Sequence, residues 1–272
     1  KNVKHPNIFT ESGRYVVASH AVLITPVLEL FSQDYKENLL SLKEINPPLI
    51  NELYYLNQRL NLSNATEYLH DALDHIESIF TLFDLGYIDL QDRSNGEILV
   101  HNIIKKALAL KISTPTDELD QLQIKIQERY LINASIFQSL PDYWGLNQHF
   151  PVMPLHRLDT PPHRAAALWD ITCDSDGEIG FDPQKPLYLH DIDLDNEEYY
   201  LGFFNVGAYQ ETLGMNHNLF TKPSEYTIHI NDADYKISNS SESMSILDIL
   251  DSIGYSKNEV LNKLERDLLS SD

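Results

Sequence analysis

A single cysteine, Cys173, is all the thiol this chain carries. It can close no internal disulfide and build no cysteine-based zinc cluster. Basic residues are scarce as well: 20 Lys and Arg stand against 41 Asp and Glu, for a formal net charge of -21. A surface of that sign repels phosphate backbones and excludes non-specific nucleic-acid binding, while a cationic small molecule remains welcome. No apolar run approaches the roughly 18 residues of a membrane span. The most apolar early stretch, 21–31, is broken by Pro26 and Glu29. No secretory signal opens the sequence, and neither does a methionine: it begins Lys1-Asn2-Val3, as a chain freed from a tag or cut from something longer would. The expectation is a soluble protein of a reducing, cytoplasmic compartment.

What is present supports a folded body. The chain has 272 residues, 42% hydrophobic and 22% charged, enough for one large domain or two modest ones. Residues 15–32 read as the first strand or strands of a β domain, with Val16, Val17, Val22 and Ile24 in a β-rich run. Residues 33–140 read as helices. Leu49, Leu53, Leu56 and Leu60 are spaced 4, 3, 4. Leu69, Leu73, Ile76, Phe80, Phe83 and Tyr87 keep that rhythm behind a capping pattern of Asn64 and Glu67. Leu99, Ile103, Ala107 and Leu110 form a third stripe. Thr116 opens a fourth as an N-cap, with Leu119, Leu122, Ile126 and Tyr130 behind it. Four amphipathic helices with short joints predict an antiparallel bundle.

Residues 141–240 read as the rest of the β domain, with loops that carry chemistry. Five of the 13 prolines fall between 141 and 162, a long loop of the kind that serves a function or wraps a surface. Short apolar runs at 165–172 and 200–206 predict strands, and 226–238 predicts a hairpin about Asn231-Asp232-Ala233. Residues 241–272 predict two helices, capped by Ser245 and by the Ser256/Glu259 pair. The fold class is α+β: a β domain with an inserted helical bundle and C-terminal helices.

Three short motifs could carry chemistry. Glu11-Ser12-Gly13-Arg14 packs an acid, a hydroxyl, a glycine and a guanidinium into four residues. Glycine lets backbone N–H groups approach an anion, and arginine offers phosphate a planar fork of donors; an exposed turn with an ion pair is the plainer reading. Thr172-Cys173-Asp174-Ser175-Asp176-Gly177 sets a thiol beside two acids after a strand. It fails as an EF-hand loop, because Pro183 stands where the twelfth-position glutamate belongs. The neighbouring acids also disfavour the thiolate that a Cys-His hydrolase needs. An Asp-rich turn with a buried cysteine is the alternative. Residues 202–209 form a strand ending in Gly207-Ala208 before Tyr209, where a helix could meet a phosphate or simply pack. His149, His156 and His163 recur every seven residues without a recognised metal spacing.

Taken together and in order, these segments resemble the biosynthetic arginine decarboxylases. The resemblance lies in His5-Pro6-Asn7-Ile8, Thr10 to Arg14, Ala18 to Leu23, Phe137 to Asp142 with Trp144, Leu158 to Pro162, Asp170 to Gly177, Leu201 to Tyr209, and His217 to Phe220. It is weakest over 33–115 and after 230. The resemblance implies a pyridoxal 5'-phosphate enzyme of the alanine-racemase and ornithine-decarboxylase group, in which a (β/α)8 barrel joins a β domain. Residues 1–14 would then be the end of the cofactor-binding barrel. The implied reaction takes L-arginine to agmatine and CO2, toward putrescine and spermidine, and magnesium is also implied. By the same resemblance Glu11 pairs the pyridine nitrogen, while Ser12, Gly13, Arg14 and Tyr209 lie at the cofactor phosphate. Cys173 acts from the partner subunit of a dimer as the acid that reprotonates the α-carbon, and Asp174 and Asp176 face the substrate guanidinium. Members of this family are more than twice as long as this chain. The barrel strands and the Schiff-base lysine belong to an N-terminal portion absent from this sequence, so it is expected to be a C-terminal portion, inactive alone. The competing readings are a non-catalytic regulatory or binding module derived from such an enzyme, and a decarboxylase of another basic amino acid.

Overall fold

The computed structural model describes residues 3–32, 39–112, 116–232 and 234–269. Seven strands form its main sheet: β1 (Val22–Phe31), β2 (Glu128–Ile132), β3 (Val152–Pro154), β4 (Arg164–Trp169), β5 (Glu178–Ile179), β6 (Leu187–Leu189) and β7 (Tyr200–Phe204). Their order is β3-β7-β1-β2-β4-β5, with β6 also on β4. The ten-residue β1 is the spine. Its first half, Val22 to Pro26, runs antiparallel to β7, and its second half, Val27 to Phe31, antiparallel to β2. The register shifts between Val27 and Glu29, where the strand passes from one partner to the other. Leu23, Thr25 and Val27 alternate inward on β1. They meet a core that includes Tyr130, Ile132, Leu168, Leu189, Leu201 and Phe203.

Ten α-helices accompany the strands among the described residues. A single turn, α1 (Arg14–Val17), precedes β1 and runs into a 3-10 turn at Ala18–His20. The expected strand over 15–32 therefore begins only at Val22: Ser12 and Gly13 accept the backbone N–H groups of Tyr15 and Val16, closing a turn where β-propensity favours extension. The bundle comprises α2 (Pro48–Arg59), α3 (Ala65–Asp84), α4 (Leu90–Ala109) and α5 (Thr116–Lys125). Its core is separate from that of the sheet and includes Ile50, Leu53, Leu69, Ile79, Leu99, Ile103 and Leu122. The leucine stripes thus do what their spacing predicts.

Four details of the helical reading differ. The bundle ends at Lys125 rather than 140, because Glu128–Ile132 is β2, paired on both sides by β1 and β4. Tyr130 continues the helical rhythm only by coincidence and is a buried strand residue. Tyr87 lies exposed beyond α3. Asn64 precedes α3 as expected, but its side chain turns back to Asn61 and Arg59 rather than capping. The side chain of Thr116 lies outside the described residues, as does Ala233 of the hairpin turn.

The proline-rich span is built rather than loose. After α6 (Ile136–Ser139), Pro141 opens α7 (Pro141–Leu146) at the position where a missing N–H costs nothing, and β3 follows. A further turn, α8 (Gln210–Leu213), comes after β7. The chain closes with the hairpin β8 (Glu225–Asn231) and β9 (Asp234–Ser241), then α9 (Ile246–Ser252) and α10 (Lys257–Leu269). Ser245 caps α9 in a reciprocal box with Asp248. No residue of α9 or α10 is buried. No helix among the described residues is long and apolar enough to cross a membrane.

Candidate active site

Two clusters of the expected residues attach to the short helical pair α6–α7, one through Asp142 and the other through Ile136 and Trp144. The first gathers at the start of the chain. Gly13 has φ +38° and ψ -114°, a conformation that a side chain disfavours, and it turns the extended N-terminal stretch into α1. That turn puts the Arg14 guanidinium over the Tyr209 ring, 5.3 Å from its centroid. A Cβ placed on Gly13 would stand 3.5 Å from the Tyr209 hydroxyl, so backbone, phenol and guanidinium share one small surface. Gly207 makes the approach possible from the other side. Its N–H donates to the Ala18 carbonyl at 2.8 Å, and a Cβ there would fall 2.5 Å from the Val17 carbonyl oxygen. Tyr209 itself sits at φ +69°, before α8.

Arg14 is held from beneath. Its Nη1 donates to Oδ2 of Asp142 at 2.8 Å. Asp142 is buried, and the same Oδ2 accepts from Nε2 of the buried Gln210 at 2.8 Å. The Asp142 N–H in turn donates to Gln210 Oε1 at 3.1 Å.

The second cluster is the loop after β4. Asp170, buried, accepts from the backbone N–H of Ile136 with Oδ2 and from both N–H and hydroxyl of Thr172 with Oδ1. Its own N–H reaches the Gly177 carbonyl at 3.0 Å, which closes the loop. Cys173 is presented outward on this frame: it is exposed, and its Sγ donates to Asn218 Oδ1 at 3.7 Å. The buried cysteine of the plainer reading is thereby corrected, since Asp170 fills the space beneath the loop. Asp174 accepts from the Asp176 N–H with Oδ1 and pairs His217 Nε2 at 3.1 Å with Oδ2. Asp176 Oδ2 accepts from the indole N–H of Trp144 at 3.1 Å. Phe137 packs between these partners, its ring tilted against His217 at 4.3 Å between centroids and edge-on to Trp144 at 5.3 Å.

The structure thus joins Gly13, Arg14 and Tyr209, and separately Cys173, Asp174 and Asp176. Among the described residues no hydrogen bond or ring contact joins one cluster directly to the other. Ser12 adjoins the first cluster and takes part through its backbone carbonyl. Glu11 is exposed two residues upstream, and no hydrogen bond among the described residues fixes its carboxylate. Sequence reasoning missed Asp142, Gln210, Asp170 and His217 as builders of the site. Asp142, Asp170 and His217 lie in segments that carry the family resemblance, but nothing local in the sequence marks which partners they hold. The three regularly spaced histidines go separate ways: His149 packs edge-on to Tyr143, His156 stacks on Tyr199 and Tyr200, and His163 pairs Asp191. Among the described residues no three His, Cys, Asp or Glu side chains converge as metal ligands.

Comparison with known proteins places this arrangement. The family profile of the arginine decarboxylase helical bundle domain matches residues 43–123. The crystal structure of the biosynthetic arginine decarboxylase from Campylobacter jejuni superposes with a TM-score of 0.85 at 56% identity, over 96% of this chain and 42% of that one. Bundle and sheet together define an arginine-decarboxylase architecture. Biosynthetic arginine decarboxylases from Phocaeicola vulgatus and Pelobacter propionicus are 37% and 39% identical to it, each over 97% of this chain and 43% of their own length. The chain belongs to the biosynthetic arginine decarboxylases, as a portion of that protein spanning less than half the length of the relatives it matches.

Proposed function

We propose that this chain is the C-terminal portion of an arginine decarboxylase that releases CO2 from L-arginine to give agmatine, toward putrescine and spermidine, in the cytoplasm. The observation that carries the reading is the donor set at residues 13, 14 and 209. A guanidinium with one arm anchored, a phenol and a glycine backbone converge within a chain of net charge -21. All three offer donors to an anion, and the planar fork suits a phosphate. They fit the phosphate end of pyridoxal 5'-phosphate.

Pyridoxal phosphate, when bound, supplies an electron sink for the pair left on the α-carbon by departing CO2. Arg14, Tyr209 and the Gly13 backbone hold its phosphate, with Ser12 beside them. Glu11 keeps a proton on the pyridine nitrogen. Its exposure leaves it free to meet a ring brought by the barrel portion. Cys173, from the partner subunit of a dimer, donates the proton that replaces CO2 at the α-carbon. Its outward presentation supports delivery across an interface. Asp174 and Asp176 draw the substrate guanidinium, two carboxylates being matched to one planar cation. Among the described residues no three His, Cys, Asp or Glu side chains converge in a set that could hold magnesium.

The barrel portion and its lysine are required partners in this reading. The test is agmatine release by this chain alone and after reconstitution with the barrel portion. Turnover is expected only in the second case, and Cys173→Ala in the complete enzyme should slow product formation far more than it weakens cofactor binding. Turnover by the isolated chain, or an unimpaired Cys173→Ala enzyme, would overturn the assignment.

A further inference from the structure

Asp142 is a buried carboxylate to which neither the reaction nor the family resemblance assigns a part. It is 3% exposed and lies in the first turn of α7, directly after Pro141. A single oxygen, Oδ2, receives both Arg14 Nη1 and Gln210 Nε2, each at 2.8 Å. These donors come from segments 128 and 68 residues away in sequence. Gln210 is committed as well: it is 3% exposed, its Nε2 also donates to the Ala208 carbonyl at 2.8 Å, and its Oε1 accepts the Asp142 N–H. Gln210 directly follows Tyr209. One carboxylate oxygen therefore fixes both arms of the anion cradle, the guanidinium by direct contact and the tyrosine through the adjoining residue.

We infer that Asp142 is the positioning residue of the phosphate cradle, orienting Arg14 and, through Gln210, Tyr209. This inference rests on the assignment of Arg14 and Tyr209 to the cofactor phosphate. A buried carboxylate is tolerated when paired and hydrogen-bonded, and both conditions hold here. The pairing also offsets the charge of Arg14, so the cradle attracts an anion by oriented donors more than by net positive charge. That yields a sign which separates positioning from bulk electrostatics. Removing a negative charge beside an anion site should, by Coulomb attraction alone, tighten anion binding. If Asp142 works by orientation, its removal loosens binding instead.

The experiment uses the complete enzyme and two ligands, pyridoxal 5'-phosphate and pyridoxal, which lacks the phosphate. Affinity is read from cofactor absorbance after equilibrium dialysis. Asp142→Asn keeps the side-chain size and removes the charge. It is expected to weaken the phosphate-bearing ligand about tenfold, the scale of one charge-assisted hydrogen bond, and pyridoxal by less than about twofold. Gln210→Met carries the same comparison should the Asn variant not fold. Equal losses for both ligands, or tighter binding of pyridoxal 5'-phosphate, overturn the inference. Arg14→Ala separates the two levels. If it weakens the phosphate ligand while Asp142→Asn does not, the cradle stands and the positioning role falls. If Arg14→Ala changes nothing, the cradle itself is wrong and the positioning role falls with it.

Discussion

Gly13 is the residue on which the entry to the first cluster turns. Its positive φ and strongly negative ψ suit glycine alone, whereas the space around it is adequate, with the Tyr209 hydroxyl at ordinary contact distance from a Cβ. Gly13→Ala is therefore expected to cost about 1–3 kcal/mol through backbone strain rather than collision. Urea denaturation of the purified chain would measure it, and a change under about 0.5 kcal/mol, the range of a neutral surface substitution, would show that the turn relaxes. At this scale the sequence was half legible. The pairing of glycine with arginine pointed to an anion, and Tyr209, which the family resemblance implied at the same phosphate, lies at that surface. The carboxylate that steadies the arginine was hidden, because Asp142 is 128 residues away and nothing local marks its partner.

Among elements, the bundle and the sheet have separate cores, and this predicts how substitutions combine. Leu69 in α3 and Leu168 in β4 are both fully buried, in different clusters. Truncating either to alanine should cost about 2–5 kcal/mol. Because they share no packing neighbours, the double variant should equal the sum within about 0.5 kcal/mol. Stability measured for the two single variants and the double would reveal any coupling.

The C-terminal helices carry a pH-sensitive joint. The Lys257 ammonium, then the Ser245 hydroxyl and N–H, hold the Asp248 carboxyl well below the usual carboxylate range. Since the folded value is depressed, the contribution is complete above the unfolded value of about 4 and is lost as pH falls through the folded one. Asp248 should still be ionised where an unfolded aspartate is half protonated. Carboxyl NMR titration checks this, and a midpoint at the ordinary aspartate value would mean that the Lys257 contact is absent in solution. Ser245 as a cap was legible because a capping box is written within four residues; the Lys257 partner, nine residues on across a turn, was not.

For the molecule as a whole, the exposed surface and its apolar content point outward. On one face of the β8–β9 hairpin, Tyr226, Ile228, Ile230, Tyr235 and Ile237 are all more than half exposed. A chain with so much uncovered apolar area should bind a hydrophobic dye strongly when isolated and less once joined to the barrel portion. Fluorescence before and after reconstitution would check this, and an unchanged signal would mean that the added portion covers other surface.

The amino-acid sequence by itself determined the helical stripes of the bundle, the runs that become β4, β7 and the closing hairpin, and the residue types gathered into three short motifs. These are local properties, set by spacing of 2, 3 or 4 residues and by caps that reach one turn. Only the tertiary structure decided that 128–132 is a strand rather than more helix, that β1 serves two partners, and that Asp142 and Gln210 lie beneath Arg14 and Tyr209. Strand pairing and buried polar contacts join residues far apart in the chain, and their free energy appears only when packing removes water from both sides at once.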